Sequence, residues 1–228
     1  MKLVARYDFR EGAKIPKSGP VIVVSNHVSY MDAFALALML YSHGRAPRFL
    51  GKSQVFRIPI IGKILLAAEQ IPVERESKEA RVALQYALRL LEMGHLVGVY
   101  PEGTLTRDQE CWPMVAKTGA ARLAVIAQVP VYPAAQWGTQ AILPPYSKKI
   151  KIFPRTSVSY RIGEPIDLSP WYGKEEDPVA MAEATAVILR AVTDLLEEIR
   201  GQKRPATIFD PHTSDLPRTG NFRKGEKK

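Results

Sequence analysis

The chain has 228 residues, of which 46% are hydrophobic and 24% charged, and this size and balance fit one substantial globular core and exclude a disordered protein. The single cysteine, Cys111, excludes an internal disulfide, and with no signal peptide evident it favours the reducing cytoplasm. The formal net charge of +9 indicates an anionic partner, which is nucleic acid, an anionic membrane surface or an anionic substrate.

The positive charge is divided between a body and a tail. Residues 202–228 contain seven Lys or Arg against three acids, a net charge of +4, so residues 1–201 carry +5. We predict one domain over residues 1–201 and a flexible basic tail over 202–228. The longest uncharged stretch, 123–147, contains four prolines and therefore predicts strand and loop, not a transmembrane helix.

The first pattern in chain order is a β-branched run, Val21 to Val24, which predicts a strand buried on both faces. The sequence Asn-His-Val-Ser-Tyr-Met-Asp follows at 26–32, and a helix-permissive segment follows at 33–40. Residues 26–32 are therefore expected at a strand-to-helix turn. Such turns project polar groups from the edge of a sheet into a cleft.

His27 and Asp32 are the candidate chemical pair in this turn. An imidazole accepts a proton near neutral pH when a partner fixes its tautomer, and a helix capped by Ser29 would bring Asp32 within reach of His27. The alternative is that Asp32 only complements a helix dipole and that His27 is a hydrogen-bonded loop residue. These seven residues alone favour neither interpretation.

The segment from 45 to 75 predicts two short strands around an apolar stretch. The strand candidates are 48–50, which precedes Lys52, and 70–75, which ends in Arg75. Between them, residues 55–66 combine many large aliphatic side chains with interspersed cations. One interpretation is a core helix preceded by a loop, and the other is a patch that faces a membrane.

The next predicted helix begins at Ser77 and ends at Met93, with Gly94 just beyond its end. Its predicted buried stripe consists of Val82, Tyr86, Leu90 and Met93. A buried strand at 95–100 follows, and it places the sequence Pro-Glu-Gly-Thr, 101–104, at its carboxyl end. This is the second place where polar groups leave the edge of a sheet.

The rest of the chain continues the alternation of strands and helices. A helix is expected at 117–127, a strand at 129–134, two strands or one bent strand at 149–162, and a last helix from Asp177 and Pro178 to Gly201. The buried stripe of that last helix is Ile188, Val192, Leu195 and Ile199. We predict a single α/β domain with a mostly parallel or mixed β-sheet flanked by helices on both faces, and an antiparallel portion near 149–162.

Several catalytic signatures are absent from the sequence. It has no Gly-x-Ser-x-Gly elbow, no P-loop and no Gly-x-Gly-x-x-Gly, and its four histidines lack metal-ligand spacing. These absences argue against a serine hydrolase, a nucleotidase and a zinc enzyme. A base with no nucleophile beside it suggests that the substrate supplies the nucleophile.

Four ordered blocks resemble the glycerolipid acyltransferase family typified by 1-acylglycerol-3-phosphate acyltransferase. The His-x-x-x-x-Asp motif is formed by His27 and Asp32. The second block of the family is matched by Lys52, Phe56, Pro59 and Gly62 together with the strand that ends in Arg75. The third is matched by Pro-Glu-Gly-Thr at 101–104, and the fourth by Val-Pro-Val-Tyr-Pro at 129–133. Together they span residues 20 to 135 in the family's order.

The resemblance implies a direct acyl transfer on a glycerol-3-phosphate acyltransferase-like fold. His27 would be the general base that deprotonates a lysophospholipid hydroxyl, and Asp32 would orient it, while the donor is a thioester of coenzyme A or acyl carrier protein and no cofactor or metal is needed. The residues expected to bind substrate, mainly the acceptor's phosphate, are Lys52, Arg75, Glu102, Gly103, Thr104 and Arg107. Glu102, being an anion, is expected to orient the neighbouring loop or a cation.

Two departures from the family pattern bear on the substrate and on the membrane. Leu105 stands where the family usually has arginine, so glycerol 3-phosphate or a glycosylated lysolipid is an alternative acceptor to 1-acylglycerol 3-phosphate. Only 25 residues precede Asn26, which leaves no room for the family's usual anchor. We therefore expect a peripheral enzyme on the cytoplasmic side of the membrane, attached to anionic lipid through its basic face and Phe56 to Leu66.

A basic protein that binds nucleic acid without catalysis is the rival class. Such a protein would explain the high isoelectric point but not the four ordered blocks, and no nucleic-acid-binding motif accompanies the charge. We therefore expect no nucleic-acid partner.

Overall fold

The computed structural model describes residues 5–9, 14–73, 77–147, 149–151 and 153–214. Within these residues, seven strands form one sheet in the order β1-β7-β6-β2-β5-β3-β4. The strands are β1 Ala5–Phe9, β2 Val21–Ser25, β3 Pro47–Lys52, β4 Ile71–Val73, β5 Leu96–Val99, β6 Val131–Trp137 and β7 Thr156–Ile162. Neighbouring strands pair in parallel except β6 and β7, which are antiparallel. The predicted mixed sheet with an antiparallel portion is therefore confirmed.

Helices cover both faces of the sheet. They are α1 Asp32–Ser42, α2 Ser53–Phe56, α3 Ile61–Ala67, α4 Ser77–Glu92, α5 Gly119–Ala127, α6 Thr139–Ile142 and α7 Pro178–Arg200, with a 3-10 turn at Ser169–Trp171. Helix α1 packs on the face that carries Val23 and Phe49, whereas α4, α5 and α7 pack on the opposite face, which carries Ile22 and Val97. Within the described residues, no helix combines the length and the apolar character required to cross a membrane.

The elements with the clearest sequence signals form as expected. The β2 residues are all buried, as the β-branched run predicts for a central strand with helices on both sides. Asp177 caps α7 by accepting the backbone N–H groups of Val179 and Ala180. Gly201 ends α7 in a left-handed conformation with φ of 62°.

The predicted buried stripe of α4 is wrong at three of its four positions, and only Leu90 packs against the core. Val82, Tyr86 and Met93 are 47%, 53% and 69% exposed. The helix instead turns Ala83, Ala87 and Leu91 toward the core, one position further along the chain. Small side chains at 83 and 87 fit where the helix packs on the sheet and on α5, and the larger apolar side chains beside them are left outside.

Two other boundaries differ from the expectation. Among its described residues, the region 149–162 contributes one strand, which begins at Thr156. Residues 202–214, placed in the tail by sequence, contact the body: the backbone N–H of Val115 donates to Phe209 at 2.9 Å, and Arg204 forms an ion pair with Asp194. The rest of the predicted tail, 215–228, lies outside the described residues.

Candidate active site

A histidine and an aspartate meet at the carboxyl end of the central strand β2. The His27 Nδ1 atom lies 2.9 Å from Oδ2 of Asp32, and their side chains are 17% and 0% exposed. Since a carboxylate only accepts hydrogen bonds, Nδ1 carries the proton in this pair. The second ring nitrogen, Nε2, is thereby left as the basic atom of the imidazole.

The Asp32 carboxylate is held by three further donors. Its Oδ2 accepts the backbone N–H groups of Val28 at 2.6 Å and Ser29 at 2.8 Å. Its Oδ1 accepts the hydroxyl of Thr139 at 2.5 Å. Asp32 is the first residue of α1, and the helix begins after Met31 with no side-chain cap. The expected Ser29 cap is therefore wrong. Asp32 instead reaches His27 by accepting hydrogen bonds from the turn that precedes the helix.

A tyrosine ring fixes the plane of the imidazole. Tyr100 follows β5, and its ring stacks on His27 with a centroid separation of 4.2 Å and an interplanar angle of 19°. The Tyr100 ring also stacks on the ring of Phe49, with a centroid separation of 6.0 Å. Burial raises the pKa of the Tyr100 phenol well above its ordinary value, and the negative charge of Asp32 adds to the rise. Tyr100 is therefore a neutral platform beside His27.

A reciprocal amide pair ties the turn to strand β6. The side chain of Asn26 donates to the carbonyl of Gln136 at 3.0 Å and accepts the backbone N–H of Gln136 at 2.9 Å. The Gln136 side chain in turn donates to the carbonyl of Asn26 at 3.0 Å. Both residues are at most 1% exposed. These three hydrogen bonds fix the position of the backbone beside His27 relative to strand β6.

Glu102 is buried beneath the turn and bridges two loops. It is 2% exposed, its Oε1 accepts the backbone N–H of His27 at 3.2 Å, and its Oε2 accepts that of Met114 at 3.1 Å. Burial raises the pKa of Glu102 to about 8, and the two backbone N–H groups limit the rise. These contacts give Glu102 an orienting position between the two loops.

The turn after Glu102 lies under a lysine. Gly103 has φ of +68°, and a Cβ placed there would lie 3.3 Å from Cδ and 3.5 Å from Nζ of Lys117. Gly103 and Lys117 are exposed and Thr104 is partly exposed. The exposed Lys117 ammonium therefore lies beside the part of this turn that faces solvent.

Leu105 and Arg107 point away from solvent. Both are 2% exposed, and the carbonyl of Leu105 accepts the hydroxyl of Tyr146 at 2.7 Å. The guanidinium carbon of Arg107 lies 5.9 Å from the centroid of the Tyr146 ring. An apolar side chain thus suits position 105, and the structure places Arg107 inside the loop cluster near Tyr146.

The structure describes only the backbone of one of the other two predicted cations, Lys52, and nothing of Arg75. Lys52 is the last residue of β3 and is paired in register with Val73 of β4. The side chain of Lys52 and all of Arg75 lie outside the described part of the structure. The structure therefore brings His27, Asp32, Glu102, Gly103 and Thr104 together at one edge of the sheet, and Arg107 is buried near Tyr146.

A family model described as Acyltransferase matches residues 6–137, more than half of the chain. The chain belongs to the acyltransferase family. The match begins in β1 and ends with β6, so it contains the His27–Asp32 pair, Tyr100, Glu102 and Gln136. The predicted resemblance is confirmed for this family.

Curated acyltransferases from plants and bacteria are similar to this member of the family. The chain is 33% identical over 132 residues to the chloroplastic 1-acyl-sn-glycerol-3-phosphate acyltransferase BAT2 of Brassica napus, covering 58% of this chain and 37% of that protein. It is 24% identical over 187 residues to the 1-acyl-sn-glycerol-3-phosphate acyltransferase of Bacillus subtilis, covering 81% of this chain and 87% of that protein. The chain thus spans just over a third of the length of the Brassica relative.

A solved structure has the same fold. The crystal structure of the 1-acyl-sn-glycerophosphate (LPA) acyltransferase PlsC from Thermotoga maritima superposes with a TM-score of 0.67, covering 89% of this chain and 76% of that chain. Its sequence identity is 24%. The comparison confirms the α/β fold of this acyltransferase family member.

Sequence reasoning missed four residues that shape the site: Tyr100, Lys117, Gln136 and Thr139. Tyr100 directly precedes the Pro-Glu-Gly-Thr block, and its place at a strand end was a usable signal. Gln136 and Thr139 are more than 100 positions from their partners Asn26 and Asp32. No local pattern marks them, because only the sheet order brings β6 beside β2.

Proposed function

We propose that this acyltransferase is a 1-acylglycerol-3-phosphate O-acyltransferase. It moves a fatty acyl group from the thioester of acyl-CoA or acyl carrier protein to the free hydroxyl of lysophosphatidic acid, giving phosphatidic acid. The observation that carries the proposal is the His27–Asp32 pair, in which Asp32 engages Nδ1 and leaves Nε2 as the base. The names of the curated relatives support the choice of acceptor.

The proposed chemistry is one transfer with no acyl-enzyme. His27 Nε2 takes the proton of the acceptor hydroxyl as the oxygen attacks the thioester carbonyl, and a tetrahedral intermediate forms. Its collapse forms the ester and breaks the carbon–sulfur bond. The departing thiolate takes the proton from the imidazolium and leaves as a thiol. The thioester is already activated, so the reaction uses no cofactor or metal.

Asp32 supports this cycle by fixing the tautomer and by stabilising the imidazolium that forms. A positioned general base contributes about 10²–10⁴-fold in rate. The four hydrogen bonds to the Asp32 carboxylate keep it in place during proton transfer. Asn26, Gln136 and Tyr100 hold the imidazole itself in register.

The acceptor's phosphate is proposed to bind beside the turn at Gly103 and Thr104. A dianionic phosphate requires cations and oriented donors. Lys117 lies over this turn in the structure, Lys52 is the last residue of β3, and Arg75 is the further cation that the sequence predicts for this phosphate. Arg107, although buried, adds positive charge behind the turn.

The enzyme is proposed to act as a peripheral protein at the cytoplasmic surface of an anionic membrane. Both the lysophospholipid and its product reside in membranes, so the active site must meet them there. The basic, aliphatic segment from Phe56 to Leu66 supports this placement, because Ile58, Ile60 and Leu66 are exposed.

A crossed substrate panel tests the proposed function. Glycerol 3-phosphate, lysophosphatidic acid, other lysophospholipids and a glycosylated lysolipid are each paired with acyl-CoAs and an acyl carrier protein thioester, and products are identified by mass. We expect phosphatidic acid from lysophosphatidic acid at the highest kcat/KM. Faster transfer to another acceptor would replace the proposed substrate, and thioester hydrolysis with no transfer to any acceptor would refute acyl transfer.

A further inference from the structure

The net positive charge of the body comes from one quarter of the chain. Residues 14–73 contain seven Lys or Arg against two acids, whereas the rest of residues 1–201 contains 18 of each. Of the two acids, Asp32 is fully buried and Glu69 forms an ion pair with Arg48. The cations Lys14, Lys17, Arg57 and Lys63 are exposed. The whole excess charge of the body therefore belongs to this segment.

The same segment exposes seven large apolar side chains among the described residues. On and before α1 these are Tyr30, Phe34 and Tyr41, which are 52%, 52% and 58% exposed. The spacing of seven places Phe34 and Tyr41 along one side of the helix, and Tyr30 precedes its first turn. Helix α1 has no charged residue besides the buried Asp32. On α2, α3 and the turn between them the set is Val55, Ile58, Ile60 and Leu66.

Both groups lie on the same face of the sheet. Helix α1 packs against Phe49 of β3. A Cβ placed on Gly51 would lie 3.0 Å from the ring of Phe56, so α2 packs on the side of β3 to which Gly51 turns. Positions 49 and 51 of a strand face the same way. Right-handed crossovers from β2 to β3 and from β3 to β4 give the same arrangement.

This face borders the edge of the sheet at which His27 lies. Strands β2, β3 and β5 are parallel, so His27, α2 and Tyr100 follow their carboxyl ends at one edge. Helix α1 begins at that edge, which puts Tyr30 and Phe34 within two turns of Asp32. We define the apolar-basic face as Tyr30, Phe34, Tyr41, Val55, Ile58, Ile60 and Leu66 together with Arg57 and Lys63.

We propose that the apolar-basic face rests on an anionic lipid bilayer, with the α1 stripe as well as α2 and α3 inserted among the headgroups. The proposal deepens the proposed function by naming the surface through which lipid reaches His27. Apolar side chains flanked by cations suit the headgroup boundary of a bilayer. A second copy of this chain suits it less, since two such faces would bring like charges together.

Vesicle co-sedimentation tests the proposal with the full chain, using phosphatidylcholine vesicles with and without phosphatidylglycerol. We expect strong binding only to the anionic vesicles, and about a tenfold weaker partition coefficient for Phe34→Ser and for Ile60→Ser. Tyr86→Ser is the matched control, because Tyr86 is 53% exposed on α4 at the opposite face of the sheet. It is expected to bind like the wild type.

A charge pair of variants completes the comparison. Lys63→Glu is expected to weaken binding to anionic vesicles, whereas Arg190→Glu, on the exposed side of α7, is expected to leave it unchanged. Equal binding to neutral and anionic vesicles, or equal losses at Phe34 and Tyr86, would overturn the proposal. A concentration-dependent dimer that Phe34→Ser dissociates would overturn it in favour of a second copy.

The test is independent of catalysis. The His27→Ala variant is expected to bind vesicles as the wild type does, so failure of the proposed reaction leaves the binding result intact. Phe34→Ser and Ile60→Ser are expected to retain acyl transfer to a short-chain, monomeric lysophosphatidic acid. Loss of that activity, together with unchanged vesicle binding, would place the two residues in the site and contradict the bilayer proposal.

Discussion

Glu102 Oε1 accepts the backbone N–H of His27 at 3.2 Å, so a buried carboxyl group from one loop sets the position of the histidine in another. Its second oxygen accepts the N–H of Met114 at 3.1 Å. Glutamine can accept only one of these bonds well, because its other terminal atom is a donor. Both oxygens of a carboxyl group keep acceptor capacity whether the group is protonated or ionised, so the contacts with His27 and Met114 suit glutamate better than glutamine.

Glu102→Gln is expected to change how stability depends on pH. Burial raises the pKa of Glu102 from 4.5 to about 8, so between these values the folded chain keeps a proton that the unfolded chain has released. The stabilisation from this group is complete below about pH 4.5 and is lost as the pH rises through 8, with a slope of at most about 1.4 kcal/mol per pH unit.

Urea unfolding across this pH range measures the effect. The wild type should lose stability as pH rises relative to Glu102→Gln, which cannot ionise. Glu110→Gln, at an exposed position of the same loop, is the control and should parallel the wild type. Parallel curves for wild type and Glu102→Gln would contradict the raised pKa.

Asp32→Asn is expected to lower kcat by about 10²–10⁴-fold with little change in the KM of the acceptor. The amide presents a donor where Oδ1 or Oδ2 now accepts, so either Thr139 or the group of His27, Val28 and Ser29 loses a bond. Steady-state kinetics provide the measurement. Asp167→Asn, at an exposed position, should behave as the wild type, and similar kinetics for both variants would exclude an orienting role for Asp32.

Tyr100 is expected to act through its ring. Tyr100→Phe keeps the surface that stacks on His27 at 4.2 Å, so its kcat should stay within about threefold of the wild type. Tyr100→Leu removes the stack and should lower kcat by about tenfold with the acceptor KM unchanged, in line with the ordinary strength of aromatic pairs. If both variants lose the same activity, the hydroxyl and not the ring is responsible.

Lys117→Gln is expected to raise the KM of a phosphorylated acceptor by about tenfold at constant kcat, since one charge-assisted contact is removed. The position of Lys117 over Gly103 is the reason for this choice. Lys174→Gln, at an exposed site beyond the 3-10 turn, is the control. An unchanged KM for Lys117→Gln would move the phosphate away from this turn.

The strands and most helices were predictable because their signals are local. The β-branched run of β2 and the Asp177-Pro178 start of α7 each dictate one conformation. The stripe of α4 was predicted one position off, since apolar residues occur on both sides of the helix and only packing on the sheet selects Ala83 and Ala87. Local periodicity does not encode that choice.

The candidate site was predictable where its residues follow strands. His27, Asp32 and Glu102 stand at the ends of β2 and β5, and parallel strands bring those ends together. The contacts of Gln136 and Thr139 depend on β6 lying beside β2, which no short motif reports. The sequence also predicted that Glu102 orients the neighbouring loop, but not that its carboxyl group is buried, and the inward position of Leu105 explains why an apolar residue is accepted there.

The rate of thiol release from acyl-CoA in the presence of lysophosphatidic acid tests the role of His27 most directly. His27→Ala is expected to lower this rate by about 10²–10⁴-fold. His43→Ala, at the exposed end of α1, is expected to retain the wild-type rate. Thiol release by folded His27→Ala at the wild-type rate would contradict His27 as the general base.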